Sequence, residues 1–467
     1  MHGTRSYAVL AKPVGPVCNL ACRYCFYLEK KSFFGEKKDF RMSSEILESY
    51  IRQYIEIHGD VEIQFPWQGG EPTLLGVDFF QEVVRLQKQY ERGRKITNTF
   101  QTNGILLDDK WCAFFKENGF VVGISIDGPR EIHDRYRVDK GGRGTFERVL
   151  KGIRHLKKHG VRFNTLTVVN AHNAPYAREV YGFLKEIGDD FMQFIPLVER
   201  VPAQKNSDMG RWWEIPQGDP HCGDGLRASK DSVRPGKFAD FYITIFDEWI
   251  RHDVGRQFVQ FFDATLGNWL GAEPGVCYYS RTCGHAAALE HNGDLYSCDH
   301  YVYPSYRLGN IMASPMAELL NSEEQRAFGM GKYEALPRFC KACEWLFVCH
   351  GECPKNRIAK TSDNEPGLNY LCRGYRRIFK HMAPYMEIMS GLVRSGRQAV
   401  EVMNMIESRK GQSQTKNVGR NEHPKCPCKV ERSGRHAMVI RPDTVQASRS
   451  AKRARFLQRE KPEFPPC

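Results

Sequence analysis

The sequence contains no long apolar run and no export signal. No stretch of about 18 apolar residues occurs, which is the length that a membrane-spanning helix needs. The first residues, MHGTRSYAVLAKPVG, hold no apolar segment followed by a cleavage site. We therefore expect neither a membrane span nor secretion. We expect a cytoplasmic protein, in which thiols stay reduced.

An excess of charge of one sign is also lacking in most of the chain. The 467 residues carry a net charge of +13. Residues 408–467 hold 15 Lys and Arg against 5 Asp and Glu, which leaves 53 against 50 for residues 1–407. The basic excess therefore belongs to the tail, whose polar composition predicts disorder. Its RSAKRAR segment could bind RNA, but solvated disorder is the commoner outcome, so we expect no nucleic-acid partner.

Disulfides are not expected, although cysteine is plentiful. Sixteen cysteines in a reducing compartment indicate ligands of a metal or of a cluster. Three of them, Cys18, Cys22 and Cys25, lie in the stretch CNLACRYC. Three thiolates can hold three irons of a [4Fe–4S] cube and leave the fourth iron open for a non-protein ligand. Zinc is the alternative, but it needs a fourth ligand, and the only nearby candidate is His2.

Apolar, β-rich segments alternate with amphipathic helical patterns after this loop. Six strands separated by helices of about 10–15 residues favour βα units and a parallel sheet, curled into an open barrel. Functional residues of such barrels lie at the C-terminal ends of the strands. The predicted strands are YAVLAKP, VEIQFPW, ITNTFQT, FVVGISID, VRFNTLTVV and FMQFIPLV.

Composition divides the chain into three predicted parts. Residues 1–235 form the barrel, whose sheet ends near Glu199 and is followed by an irregular insertion at 200–235. Residues 236–407 contain a linker helix, a cysteine-rich segment and closing helices. Residues 408–467 form the basic tail.

The CxxxCxxC spacing, followed by an aromatic residue and placed after a first strand, resembles the radical S-adenosylmethionine (SAM) superfamily. The resemblance implies a partial (β/α)6 barrel and a [4Fe–4S] cluster on Cys18, Cys22 and Cys25, whose open iron is chelated by SAM. In that family, one-electron reduction cleaves SAM to methionine and a 5′-deoxyadenosyl radical, which abstracts a hydrogen atom from the substrate. Tyr24, beside the thiolates, is expected to shield the cluster and to lie near SAM.

The tetrapeptide GlyGlyGluPro closes the second predicted strand and resembles the family's GGE element, which binds the amino group of SAM. Gly69 and Gly70 would let the backbone approach a ligand closely, and Glu71 would accept a hydrogen bond from the ammonium. A simple strand-ending turn is the alternative.

Three more positions carry implied contacts with SAM. Ser125 would reach the ribose hydroxyls, Arg137 would pair with the SAM carboxylate, and Val198 would form an apolar wall against adenine. The alternatives are a buried small residue in a strand for Ser125 and a solvated side chain for Arg137.

Eight further cysteines lie between residues 277 and 372 and would suffice for two four-cysteine clusters. The segment LEHNGDLYSCD predicts a hairpin through Asn292-Gly293. The run CxxCxxxxxCxxxC resembles the SPASM domain attached to many radical SAM peptide-modifying enzymes. Two structural zinc ions are the alternative, but they leave the first three cysteines without a role. The eight are Cys277, Cys283, Cys298, Cys340, Cys343, Cys349, Cys353 and Cys372.

The elements QGGEPTL, QTNG and SxDGP, together with the Cys298-Asp299 pair, narrow the resemblance to the anaerobic sulfatase-maturating enzymes over roughly residues 6–385. That family oxidises an active-site cysteine or serine of a sulfatase to Cα-formylglycine. It implies three [4Fe–4S] clusters, of which two are auxiliary. Their implied ligand sets are Cys277, Cys283, Cys298 and Cys353 for the first and Cys340, Cys343, Cys349 and Cys372 for the second.

The resemblance also implies a general base and partners. The family's base occupies the CysAsp position, which is Asp299 here; a cap of the turn after the hairpin is the alternative. The implied substrate is an unfolded or nascent sulfatase polypeptide, and the implied electron donor is reduced ferredoxin or flavodoxin. We expect a monomer.

Other functions remain open at this point. The nearest alternative is a radical SAM/SPASM enzyme that forms a thioether or another cross-link in a ribosomally made peptide. A non-catalytic iron–sulfur electron carrier would gain nothing from an open iron. A zinc-stabilised protein that binds nucleic acid through its tail is the most distant alternative.

Overall fold

The structure is a computed structural model that describes residues 7–35, 39–59, 62–202 and 226–408. Several predictions lie outside these residues. They concern most of the insertion at 200–235, the basic tail with its RSAKRAR segment, and a ligand role for His2.

Ten of the described strands form one mixed sheet. The strands in chain order are β1 Ala8–Lys12, β2 Ile63–Trp67, β3 Ile96–Thr102, β4 Val121–Ser125, β5 Phe163–Val169, β6 Phe191–Pro196, β7 Arg200–Pro202, β8 Leu226–Ala228, β9 Phe258–Val259, β10 Ala286–Glu290, β11 Asp294–Tyr296 and β12 Arg307–Asn310. Their order in the sheet is β12-β11-β10-β1-β2-β3-β4-β5-β6-β9. The predicted six-stranded parallel unit is therefore present as β1 to β6, with neighbours in sequence order.

The sheet extends beyond Glu199, where the sequence predicted that it would end. Strand β9 adds to β6, and β10 pairs in parallel with β1. The predicted hairpin through Asn292-Gly293 joins β10 to β11, with Gly293 at a φ of 85°. The insertion predicted as irregular begins and ends with a small antiparallel pair, β7 and β8. These short strands escaped prediction because pairing partners distant in sequence, and not their own periodicity, define them.

Helices cross over between the parallel strands, as such connections require. The α-helices include α1 Ser44–Ile57, α2 Val77–Tyr90, α3 Asp109–Glu117, α4 Arg130–His133, α5 Phe146–His159, α6 Ala177–Ile187, α7 Pro235–His252, α8 Gln260–Leu270, α9 Met316–Leu320, α10 Glu323–Glu334, α11 Arg338–Lys341, α12 Leu346–Cys349 and α13 Cys372–Arg394. Among the described residues, no helix combines the length and the apolar character needed to cross a lipid bilayer.

Local sequence signals explain where several of these helices begin and end. The hydroxyl of Ser43 accepts the Ile46 amide at the start of α1, and Asp108 accepts the Trp111 amide at the start of α3. Helix α5 ends at Gly160, which has the left-handed conformation that terminates many helices.

One large apolar cluster fills the space between the sheet and the helices. It includes rings from the helices and from the strands, such as Tyr50 on α1, Trp67 on β2 and Phe238 on α7, all fully buried. Helix α13 packs against α7 and α8 through the same cluster, for example where Tyr375 meets Phe238 with ring centroids 4.9 Å apart. The core therefore holds the strand ends in a fixed arrangement, and the loops that follow the strands form the site.

Candidate active site

The loop with the first three cysteines follows β1 and is held on both sides. The amides of Ala21 and Arg23 donate to the carbonyls of Val138 and Tyr136, each at 2.9 Å. Burial raises the pKa of the Cys18 thiol to about 12 and that of Cys22 to about 11, and it also raises the pKa of Cys25. Buried thiols of this kind ionise readily only beside compensating positive charge, which a bound metal or cluster provides.

The glycines of the GlyGlyGluPro turn pack against this loop. The amide of Gly70 donates to the Gly15 carbonyl at 2.8 Å, and the amide of Glu71 donates to the Val17 carbonyl at 2.9 Å. A Cβ atom on Gly70 would lie only 2.0 Å from the Val17 oxygen. The close approach predicted for the glycines is therefore made to the backbone that carries Cys18, and this contact ties the end of β2 to the cysteine loop.

Glu71 joins the ends of β2 and β3. The Oε1 atom of its buried carboxylate accepts from the Thr73 amide at 3.1 Å, the Thr73 hydroxyl at 2.6 Å and the Thr102 hydroxyl at 2.7 Å, and Oε2 accepts from the Asn103 amide at 2.8 Å. Each carboxylate oxygen has two lone pairs, so Oε2 can accept one more hydrogen bond. The role of Glu71 as acceptor for the SAM ammonium stays a prediction.

Tyr24 and Arg137 meet on a carboxylate that the sequence analysis missed. Asp127 follows β4, is fully buried, and accepts from the Tyr24 hydroxyl at 2.5 Å and from Arg137 Nη2 at 3.1 Å. The Arg137 guanidinium also lies 5.5 Å from the centroid of the Tyr24 ring. Among the described residues, no protein acceptor reaches the buried Nε of Arg137, so this atom retains a donor for a ligand. The SxDGP element contained the signal for Asp127.

Ser125 and Val198 differ in accessibility. Ser125, the last residue of β4, is half-buried, and its hydroxyl accepts from Gln101 Nε2 at 3.0 Å, which leaves its own proton free to reach a ligand. Val198 is fully buried in the core cluster. The apolar wall against adenine at Val198 stays a prediction.

The eight later cysteines lie in two groups. Burial raises the pKa of the Cys277, Cys298, Cys340, Cys349 and Cys372 thiols, and neighbouring thiols raise it further. In the first group, the pKa of Cys277 is raised by Cys283, Cys298 and Cys353. In the second group, the pKa of Cys340 is raised by Cys372 and Cys343, that of Cys349 by Cys372 and Cys340, and that of Cys372 by Cys343. The structure thus brings together the two implied ligand sets.

Two buried cations lie beside the first of these groups. Lys332, with no exposed surface, donates through Nζ to the carbonyls of Cys277 at 2.7 Å, Tyr278 at 2.9 Å and Ser280 at 2.6 Å. Arg357 donates through Nη1 to the Lys332 carbonyl at 2.6 Å. Buried positive charges are costly without a counter-charge. Four thiolates around an iron–sulfur cluster would provide one.

The donor chemistry of these groups suits iron–sulfur clusters. In the described ranges, no three His, Cys, Asp or Glu side chains are arranged to hold a single metal ion. This does not bear on a cluster, because each thiolate of a four-iron cluster binds a different iron and the ligands stand farther apart. Three thiols after β1 and four in each later group match one open and two closed cluster sites.

His300 lies between the two cysteine regions. Its Nδ1 is 3.6 Å from the Cys353 sulfur, and its ring meets Phe26 edge to face with centroids 5.7 Å apart. Burial lowers the pKa of His300 to about 3, so the imidazole is neutral. The first cysteine loop and the first later group are therefore neighbours in space.

Asp299, the predicted base, follows β11 and Cys298 and is buried beside the end of β1. Its carboxylate forms an ion pair with Lys12, the last residue of β1, and both side chains are almost without exposed surface. Burial, the largest influence, favours the neutral carboxyl, but Lys12 and neighbouring cations outweigh it and hold the pKa of Asp299 below its ordinary value. Lys12 was not predicted as a site residue, although a lysine that ends an apolar strand is a visible signal in the sequence.

Comparison with known proteins agrees with this arrangement. Residues 13–184 match the family described as the radical SAM superfamily, and residues 277–344 match SPASM, described as an iron-sulfur cluster-binding domain. The serine-type anaerobic sulfatase-maturating enzyme of Bacteroides thetaiotaomicron is 47% identical over an alignment that covers 85% of this chain and 95% of that protein. The chain belongs to the anaerobic sulfatase-maturating enzymes.

Both serine-type and cysteine-type members of this family are similar to this chain. The cysteine-type enzyme of Clostridium perfringens strain 13 is 33% identical over 81% of this chain and 96% of its own length. A solved structure of native anSMEcpe with bound AdoMet and Kp18Cys peptide has a TM-score of 0.70 at 32% identity, and it covers 82% of this chain and 99% of that chain. The α/β radical SAM fold with a SPASM domain, the use of SAM and the presence of iron–sulfur clusters are therefore properties of this anaerobic sulfatase-maturating enzyme.

Proposed function

We propose that the protein oxidises an active-site serine or cysteine of a sulfatase to Cα-formylglycine and cleaves SAM to 5′-deoxyadenosine and methionine in the process. The observation that carries the proposal is the buried Lys12–Asp299 pair, which joins the strand before the cysteine loop to the residue after Cys298. The pair supports the proposal because the Asp299 carboxylate lies at the end of the strand that leads into the cysteine loop, where a substrate side chain would lose its hydrogen. The names of the relatives support the same activity.

Three [4Fe–4S] clusters complete the proposal. Cys18, Cys22 and Cys25 would hold the first, and the two later groups would each hold one more. When bound and reduced, the first cluster with SAM supplies a 5′-deoxyadenosyl radical that takes the Cβ hydrogen atom of the substrate. The oxidation also releases one proton and one further electron, and we assign the acceptance of that electron to the auxiliary clusters.

Asp299 is the proposed general base. A carboxylate that is ionised can accept the proton of a substrate hydroxyl or thiol within hydrogen-bonding distance. The lowered pKa of Asp299 keeps it ionised at neutral pH. The main role of this chain is thus to place a proton acceptor beside the substrate and to exclude water from it.

The SAM contacts are proposed with revised roles. The backbone of Gly69 and Gly70 would face the methionine end of SAM, and Glu71 would hold this turn in place from behind. Arg137 would use its remaining donor, Nε, on the SAM carboxylate, and Tyr24 would act through Asp127, which orients Arg137. Ser125 keeps its proposed contact with the ribose.

Substrate, partners and organisation are also proposals. The substrate is an unfolded or nascent sulfatase polypeptide, as the peptide-bound structure of a relative suggests. Serine is favoured over cysteine because the relative at 47% identity is serine-type, whereas the cysteine-type relative is 33% identical. We further propose a monomer in the cytoplasm, reduced by ferredoxin or flavodoxin. Its barrel would span residues 1–235 and its auxiliary-cluster domain residues 236–407, with the tail after them.

One experiment separates this function from its alternatives. Protein reconstituted without oxygen should bind about twelve irons if three four-iron clusters assemble. With dithionite and SAM it should convert a peptide with SxPxR to the aldehyde faster than the matched CxPxR peptide, as measured by mass spectrometry. SAM cleavage without aldehyde from either peptide would refute the maturase function, and a cross-linked peptide product would establish the alternative. Zinc in place of iron would refute both.

A further inference from the structure

Lys12 is a buried, charged residue at the end of an otherwise apolar strand. It ends β1, whose other residues are Ala8, Val9, Leu10 and Ala11, and its side chain has a relative exposure of 1%. Burying an ammonium group in an apolar environment is costly unless the charge is compensated. The compensation comes from Asp299, to which Lys12 is paired through Oδ1.

An aromatic ring fixes the position of the ammonium. Lys12 Nζ lies 3.8 Å from the centroid of the Tyr27 ring, a distance at which the ring face attracts a cation. The Tyr27 hydroxyl in turn donates to Glu290, a buried carboxylate whose Cα pairs with that of Lys12 between β1 and β10. Ring, carboxylate and strand pairing therefore leave Lys12 little freedom.

The two oxygens of Asp299 have different surroundings. Oδ1 is buried and forms the ion pair with Lys12, and no hydrogen bond from another described residue reaches it. Asp299 begins a short 3-10 helix directly after the ligand position Cys298. Among the described residues, Lys12 is therefore the charged partner that can fix the direction of Oδ1 and, with it, that of Oδ2.

We propose that Lys12 is a positioning residue for the oxidation, an inference that rests on the proposed function. By holding Oδ1 it turns Oδ2 toward the substrate. Oδ2 would accept the proton of the substrate O–H or S–H group, and the SAM-derived radical and an auxiliary cluster, when bound, would supply acceptors for the Cβ hydrogen atom and the remaining electron. A serine would give the aldehyde directly, whereas a cysteine would give a thioaldehyde that water converts to the aldehyde with release of H2S. Lys12 itself neither gains nor loses a proton. A purely structural role, in which Lys12 only neutralises a buried carboxylate, is the competing explanation.

The test compares hydrogen abstraction with aldehyde formation. A substrate peptide deuterated at Cβ reports abstraction by the deuterium found in 5′-deoxyadenosine, and mass spectrometry of the peptide reports the aldehyde. Lys12→Met should retain iron content and deuterium transfer but lower the aldehyde per abstraction about 100-fold, the effect expected when a reacting group is misplaced by an ångström. Lys12→Arg, which keeps a charged donor, should restore most of this loss. The peptide KM should change little.

A double-mutant cycle with Asp299→Asn tests whether Lys12 acts through Asp299. If Lys12 acts through Asp299, adding Lys12→Met to Asp299→Asn lowers the remaining aldehyde yield no further. The matched control is Lys185→Met, which removes another Lys–Asp pair, with Asp253 at 2.7 Å, away from the site. Additive losses in the cycle, or a Lys12→Met protein with an unchanged aldehyde ratio, would overturn the proposal.

Two further outcomes decide the proposal. If Lys12→Met loses iron and deuterium transfer to the same extent as aldehyde, the role of Lys12 is structural. If it does not fold, Lys12→Gln, which keeps a donor but removes the charge, decides: a lower aldehyde ratio at unchanged deuterium transfer supports positioning, and an unchanged ratio contradicts it. Wild-type protein that transfers deuterium but forms no aldehyde refutes the proposed function before Lys12 is tested.

Discussion

Gly70→Ala tests how the strand end holds the cysteine loop. The new Cβ would lie 2.0 Å from the Val17 oxygen, whereas real contacts of this kind are at least 3.0 Å. One of the two backbones must therefore move by about 1 Å, and overpacking of this kind costs about 1–3 kcal/mol. Because Val17 precedes Cys18 and the Glu71 amide also donates to Val17, the movement falls on the first cysteine ligand.

We expect Gly70→Ala to lower the rate of SAM cleavage about 100-fold, because an ångström of misplacement in a positioned site has effects of that size. The assay follows 5′-deoxyadenosine after anaerobic reconstitution, with iron content and thermal unfolding measured on the same sample. Gly182→Ala on α6 is the matched control, since its Cβ would meet no atom within 4 Å. Alanine there should raise stability by about 0.5–1 kcal/mol. SAM cleavage at the wild-type rate in Gly70→Ala would refute this reasoning.

Three other perturbations have expected outcomes. Tyr24→Phe removes the hydrogen bond to Asp127 and should weaken SAM binding about tenfold, which is the effect of losing one charge-assisted hydrogen bond. The iron content should stay the same. An unchanged SAM affinity in equilibrium binding would contradict this prediction. Lys332→Met removes a positive charge beside Cys277 and should make the reduction potential of the first auxiliary cluster more negative than in the wild type. The potential is measured by EPR-monitored titration, and the other two clusters are internal controls. Burial lowers the pKa of Lys30 to about 7, so between pH 7 and pH 10 the unfolded chain binds more protons than the folded protein and stability should rise with pH. Lys30→Met should flatten this rise, as measured by thermal unfolding. An equal rise in both proteins would show that another group causes it.

Much of the fold could be predicted because apolar residues recur at a regular spacing along its strands and helices. The predicted strand ITNTFQT coincides with β3, and the helical pattern of VDFFQEVVRLQKQY coincides with α2. These elements bury one face or both against a large core, so their apolar spacing is visible in the sequence. Strand β9, with two residues, and β7 and β8, with three each, are too short for a period to appear.

The site was predictable where chemistry requires a residue type and unpredictable where it depends on neighbours. Cysteine spacing indicated the ligands, and only cysteine thiolates suit such clusters. The donors around Glu71 could not be predicted because two of them come from the end of β3, about thirty residues later. Asp127 was missed because a carboxylate after a strand is common, and its importance comes from meeting Tyr24 and Arg137.

The sequence alone determined the order of βα units, the spacing of the cysteines and the presence of an acid group after Cys298. All of these depend on residue types at short spacing, which a chain specifies locally. Only the tertiary structure decided that β10 pairs with β1, and this pairing brings Asp299 to Lys12 and His300 to Phe26. Such contacts join residues nearly three hundred positions apart. They form because burial of the whole core selects one arrangement of the strands, and no local segment contains that information.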